Sequence, residues 1–278
     1  MTDWDDAFAN AAHIPGADAI VASWPLRAKA FRRSGVRIDR DIRYGPRPRN
    51  RLDLVWPEGA CKGLVVFVHG GFWLDFDKSD WTDLAQGARA HGWAVALPSY
   101  TLAPEARISD ITAEIGAAVR AAASRVEGPV RLVGHSAGGH LVARMVCDDS
   151  PLDPATLNRV EKVLTISGLH DLRPLRHTRM NAVLGLAAWE AARESAALHL
   201  PVATIPVTCW VGAGERPEFL HQTRLLAALW HGTTATRLVE ERGKNHFSVL
   251  DGLGDPESPI VAELLDRCGR SLARFLPQ

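Results

Sequence analysis

Short, almost uninterrupted apolar runs recur along this chain, and most are followed by a longer stretch with helical spacing. The runs are RLDLVW, GLVVFVHG, GWAVALPSY, VRLVGHS, VEKVLTISG, IPVTCWVGAG and TATRLVEE. A strand that is apolar at consecutive positions has no face to offer water, so it must be covered on both sides. Between the runs lie SDWTDLAQGARAHG, ISDITAEIGAAVRAAASRV, GGHLVARMVCD, RPEFLHQTRLLAALWHG and SPIVAELLDRCGRSLARFL, each read as a helix. This alternation predicts an α/β fold, a mostly parallel central sheet with helices on both faces. Residues 172–201 break the rhythm beyond a strand end, where a short cap or loop insertion is expected. Residues 1–36 read as a helical or irregular extension packed on the sheet domain, and the arginine-rich stretch Arg37–Arg51 as a solvated entry strand.

No linker, repeat or low-complexity tract divides the 278 residues, so a single domain over 1–278 is expected. Lys and Arg number 32, as do Asp and Glu, which argues against nucleic acid or an anionic membrane as partner. The longest apolar runs are far too short to cross a bilayer. The N-terminus MTDWDDAFAN lacks the basic start and apolar run of a signal peptide, so a cytoplasmic protein is expected. The four cysteines, Cys61, Cys147, Cys209 and Cys268, show no paired spacing, which fits reduced thiols. The expected partner is a small-molecule substrate, and a homodimer is compatible with the sequence.

One stretch carries chemistry. Gly134-His135-Ser136-Ala137-Gly138 follows a strand and opens a helix, the context in which GxSxG becomes a nucleophile elbow. The turn pushes a serine oxygen out of the sheet, and the helix N-terminus presents N–H groups to the site. A serine needs a base, and on such sheets the partners follow in the order serine, acid, histidine. His246 in RGKNHFSVLDG lies in a polar loop after the last strand and is the candidate base. Glu215, just after the strand VTCWVGAG, is the candidate acid that orients the imidazole, with Asp171 in SGLHDL as the alternative. VHGGFW, residues 68–73, follows another apolar strand and is suited to form an oxyanion hole. The candidate donors are Gly70, Gly71 and Phe72, together with Ala137 after the nucleophile.

The pieces HGGFW, SYTLAPE, GHSAGGHL, ISGLHDLRPL, VGAGERPEF and NHF occur in the order seen in arylformamidases, the kynurenine formamidases of α/β-hydrolase type, a family related to esterases carrying HGGG. The resemblance runs from about Tyr44 to the last helix. It matches Glu215 to a position where that family more often carries Asp, which keeps the carboxylate on a longer arm. It implies an α/β-hydrolase fold, no cofactor and no metal, and hydrolysis of an aryl formamide to an aromatic amine and formate, as in N-formylkynurenine to kynurenine in tryptophan catabolism. A short-chain carboxylesterase would use the same machinery, and a non-catalytic binding protein of this fold is a third reading. Phe72, Trp73, Phe76, His135 and Trp189 are candidate pocket residues, since they lie in or near the presumed site loops. Arg173, Arg176 and Arg179 are read as solvated charge, with pairing to a substrate carboxylate as the alternative.

Overall fold

The computed structural model describes residues 2–266. Eight strands form one sheet in the order β1-β2-β4-β3-β5-β6-β7-β8. They are β1 Ile38–Arg43, β2 Arg51–Val55, β3 Leu64–Val68, β4 Ala94–Pro98, β5 Val130–His135, β6 Val160–Ile166, β7 Val207–Gly212 and β8 Thr236–Glu241. The first two are antiparallel, β1 to β2 and β2 to β4, and every later pairing is parallel. The seven predicted strands are all present, and β1 arises from the arginine-rich stretch. Strands β3, β4, β5 and β7 are buried at every position, whereas the edge strands β1 and β8 are half-exposed.

The two-residue period of a strand divides the core in two. Leu64, Val66 and Val68 of β3 join the cluster that also holds Ile111 and Leu141, while Val65 and Phe67 join the one holding Trp24 and Trp81. Helices α4 (Ile108–Ala123) and α5 (Ala137–Arg144) supply the first face. The second is covered by α2 (Ala17–Arg32), α3 (Gln86–Ala90) and α10 (Pro259–Leu265). Ahead of α2 stand α1 (Trp4–Ala7) and a single turn, Ala11–His13. The remaining helices are α6 (Pro154–Leu157), α7 (Asn181–Leu184), α8 (Ala188–Arg193) and α9 (Pro217–Trp230). Residues 172–201 hold α7, α8 and two short turns, an irregular insertion of the expected kind.

Two helical expectations change, and a third is only partly described. The stretch 79–92 is not one helix but the turns Lys78–Asp80 and Thr82–Ala85 followed by α3. Trp81, at φ −128°, interrupts it, because its ring is drawn into a cluster with Trp24 and Phe76. The helix after the elbow ends at Arg144, short of Asp148. The last helical stretch is described as α10, opened by the Ser258 cap and Pro259, and its continuation past Asp266 lies outside the described residues. Among the described residues no helix is long and apolar enough to cross a membrane.

Candidate active site

The C-terminal ends of β3, β5 and β7 and the loop after β8 converge on one place, as the crevice of an open α/β sheet requires. Ser136 sits between β5 and α5 with φ 55° and ψ −117°, a conformation that a non-glycine residue holds only under constraint. The constraint is visible in its neighbours. A Cβ on Gly138 would stand 2.0 Å from the carbonyl oxygen of Val68, and one on Gly134 would stand 2.1 Å from that of Gly138. The Ser136 N–H donates to the carbonyl of Ile166 at 2.8 Å, fixing the turn to β6.

His246 is 96% buried, and its Nδ1 lies 2.6 Å from Glu215 Oε2. The other carboxylate oxygen, Oε1, accepts from Ser167 Oγ at 2.5 Å and from the Gly212 N–H at 2.8 Å. All of this holds the carboxylate in one orientation, with Glu215 reaching from the first turn after β7. The imidazole lies between the rings of His135 (centroids 4.5 Å apart) and Phe219 (4.3 Å). The His246 carbonyl is 2.9 Å from His135 Nε2. Burial, helped by the neighbouring His246, holds the His135 pKa well below its ordinary value, so His135 is neutral and acts as a packing and hydrogen-bonding support.

The loop after β3 runs beside the elbow. A Cβ on Gly70 would come within 3.0 Å of Ser136 Cβ, and Gly71, Phe72 and Trp73 follow one another with positive φ. Among the described residues the N–H groups of Gly71 and Phe72 donate no hydrogen bond. Ala137 opens α5, so its N–H lies outside the helical ladder. His69 is stacked on Tyr100 at 4.4 Å and is driven by burial to a pKa of about 4, so it too is neutral.

Ser136, His246, Gly70, Gly71 and Phe72 open onto one cavity of about 440 Å³, within the usual range for small-molecule sites. Phe76 and His135 also line it, as expected. Trp73 and Trp189 do not. Trp73 is fully buried and packs edge-on to His140 on the sheet side of the loop. Trp189 is 58% exposed, with the Arg107 guanidinium over its ring. The alternative acid Asp171 is engaged elsewhere. Burial pushes its pKa up, but hydrogen bonds from Arg173 outweigh that and hold it below the ordinary carboxyl value. Arg179 is likewise paired with Asp5.

Sequence reasoning missed part of the wall. Residues 5–12, ahead of α2, close over the cavity and bring Phe8 and Asn10 to it, while Trp24, Trp81 and Phe247 add aromatic surface. It also missed Ser167, which holds Glu215 from just past the end of β6 at φ 51°, and whose one signal in sequence was a small hydroxyl and a glycine closing an apolar run. Among the described residues, Asp148, Asp149 and His199 have spacing that could hold a metal. Arg144 already grips Asp149 with two bonds of 2.7 and 2.8 Å, and none of the three lines the cavity.

Comparison with known proteins agrees with this architecture. The chain is 26% identical to the kynurenine formamidase of Danio rerio over 243 residues, covering 83% of this chain and 82% of that protein. A solved structure from Silicibacter sp. TM1040, assigned as a thioesterase, superposes with a TM-score of 0.91 at 46% identity, covering 96% of this chain and all of that one. Esterase B of Lactobacillus rhamnosus matches with a TM-score of 0.68 at 19% identity over 95% and 93% of the two chains, a likeness of fold. Residues 65–246 match the family model described as the α/β-hydrolase fold, and the chain belongs to that family.

Proposed function

We propose that this protein is a serine hydrolase that removes a formyl or other small acyl group from an aromatic amine or alcohol. The observation that carries the proposal is His246, braced by the buried Glu215, sharing an aromatic-lined cavity with the strained Ser136. In the first step His246 Nε2 takes the Ser136 proton as Oγ forms a bond to the carbonyl carbon. The negative oxygen is received by the N–H groups of Gly71, Phe72 and Ala137, with Gly70 giving the loop room to approach. His246 returns the proton to the departing nitrogen or oxygen as the carbon–heteroatom bond breaks. Water, deprotonated by the same histidine, then attacks the acyl-serine and releases formate or another carboxylate, and Ser136 recovers its proton.

The aryl formamide reading, with N-formylkynurenine as the test substrate, is supported by the Danio rerio relative and by the aromatic wall. One observation favours a carboxylesterase of uncharged aryl esters instead. Asp5 and Asp75 line the cavity, and among the described residues no Lys or Arg lines it to receive a substrate carboxylate. Parallel measurement of kcat/KM on N-formylkynurenine and on phenyl acetate, with Ser136→Ala as control, decides between them. A large preference for the formamide supports the first reading, and turnover of the ester alone supports the second. Ser136→Ala is expected to lose roughly four to six orders of magnitude in kcat on either substrate. Undiminished hydrolysis by that variant would sink both readings.

A further inference from the structure

Asn10 accepts the His13 N–H on its backbone carbonyl, but its side chain does nothing of the kind, although the residue is 94% buried. It stands just before the turn Ala11–His13, where an asparagine side chain ordinarily caps the backbone, but its side chain makes no capping bond. Among the described residues, neither Nδ2 nor Oδ1 has a hydrogen-bond partner. Such a group lowers stability, because desolvating an amide without giving it a partner is unfavourable. Buried polar groups in native proteins are nearly always satisfied, so a wholly unmatched one on a cavity wall points to a ligand.

Its location says which ligand. Asn10 lines the 440 Å³ cavity that holds Ser136, and it also lines an adjoining polar recess of about 140 Å³. His246 borders both, so Asn10 shares each with the base that would protonate the leaving group. Six Phe and Trp side chains stand in the remaining wall, beside small residues and the carboxylates Asp5 and Asp75. In the recess the cation Arg216 is already held by Asp6. An amide both donates and accepts without charge, and so matches a carbonyl or a carboxamide better than an ion.

We propose that Asn10 is a specificity-determining residue, selecting aromatic substrates whose leaving group carries a carbonyl or amide besides the bond that is cleaved. The proposal rests on the serine-hydrolase reading for the word substrate, but its test does not require turnover. A site built to hydrogen-bond a polar group rejects the analogue that lacks it, because the site's own polar atoms then stay unpaired. Benzamide and toluene are the probes, titrated calorimetrically into Ser136→Ala protein with and without Asn10→Leu.

The expected result is a loss confined to the polar probe. Asn10→Leu weakens benzamide at least about tenfold and leaves toluene within about twofold, since the near-isosteric leucine removes the hydrogen bonds and keeps the apolar contact. Loss of both ligands together would mean that Asn10 merely seats the N-terminal segment, and the proposal fails. Unchanged benzamide affinity, or no benzamide binding by Ser136→Ala protein, overturns it equally. Asn10→Asp guards against a leucine variant that does not fold. Asp accepts but does not donate, so acetophenone, which only accepts, should lose binding more than benzamide does. Equal losses for these two would count against the proposal. Wild-type protein that hydrolyses neither ester nor formamide would refute the catalytic reading and leave this binding result to stand on its own.

Discussion

On the floor of the cavity a Cβ on Gly138 would meet backbone at 2.0 Å, whereas the wall made by residues 5–12 is tied to the body largely by charged side chains at the surface. The floor is assembled from strand ends whose register the sheet fixes, and its side chains interlock: Ser167 and Gly212 on Glu215, Glu215 on His246, His135 against His246. The wall is held by Asp5 on Arg179 and by Asp6 on Arg216 and His13, with Phe8 inserted beside Phe219 as its one fully buried anchor. Reaction chemistry needs groups held to fractions of an ångström, and a packed sheet supplies that. Choice of substrate needs only a surface of the right shape and polarity, which a docked segment provides. On the proposed function, chemistry and selectivity fall to different parts of this chain.

The sharpest way to break the floor without touching its packing is Glu215→Gln. The amide is nearly the same shape, but it cannot stabilise the positive charge that forms on His246. We expect kcat to fall roughly 10³- to 10⁴-fold with KM little changed, measured on whichever substrate the parallel assay selects. A fall of tenfold or less would mean that the carboxylate merely positions the loop. The 2.6 Å bond between Glu215 and His246 would then be structural.

Acid provides the second test, because it acts on buried histidines in the body and hardly on the exposed wall. Burial lowers the pKa of His69 to about 4 and of His140 and His170 to about 3. The unfolded chain takes up these protons near pH 6.5 while the fold refuses them. Their contribution is complete above about pH 6.5 and is lost as pH falls toward 4. Each such histidine contributes a loss of about 1 kcal/mol by pH 5.5. Urea unfolding at pH 7.5 and pH 5.5 should show a fall of a few kcal/mol, and His140→Gln should flatten it. A stability independent of pH over that range would mean that these side chains are solvated.

The same contrast explains what could be read from the sequence. The elbow, the acid loop and the histidine loop are local patterns, each a few residues long beside a strand, and the structure brings the candidates Ser136, Glu215 and His246 to one end of the sheet. The strands were legible because continuous apolar runs have few other uses. Phe8 and Asn10 were not, since nothing in WDDAFAN states that it will cross the sheet's C-terminal edge more than 100 residues ahead of the serine it covers. Trp73 and Trp189 show the converse error. Adjacency in sequence to a site loop says nothing about which side of the loop a ring faces, and Trp73 turns inward while Trp189 turns to solvent.

The smallest expected effect probes the wall's attachment. Asp6 accepts from Arg216 and His13, and its pKa is lowered first by the His13 hydrogen bond. Asp6 and His13 are exposed and Arg216 is half-buried, so salt and water reach the pairs through Asp6 and each is individually weak. Asp6→Asn should therefore raise KM only about two- to threefold and leave the melting temperature within about 1 °C. Raising NaCl to about 0.5 M should raise the wild-type KM by a similar factor and the variant's by less, since the same attraction cannot be lost twice. If the variant loses far more than this, the ionic contacts rather than Phe8 dock the segment. If salt moves both proteins equally, the wall is held by its apolar face, and the distinction between the two regions narrows to Asn10 alone.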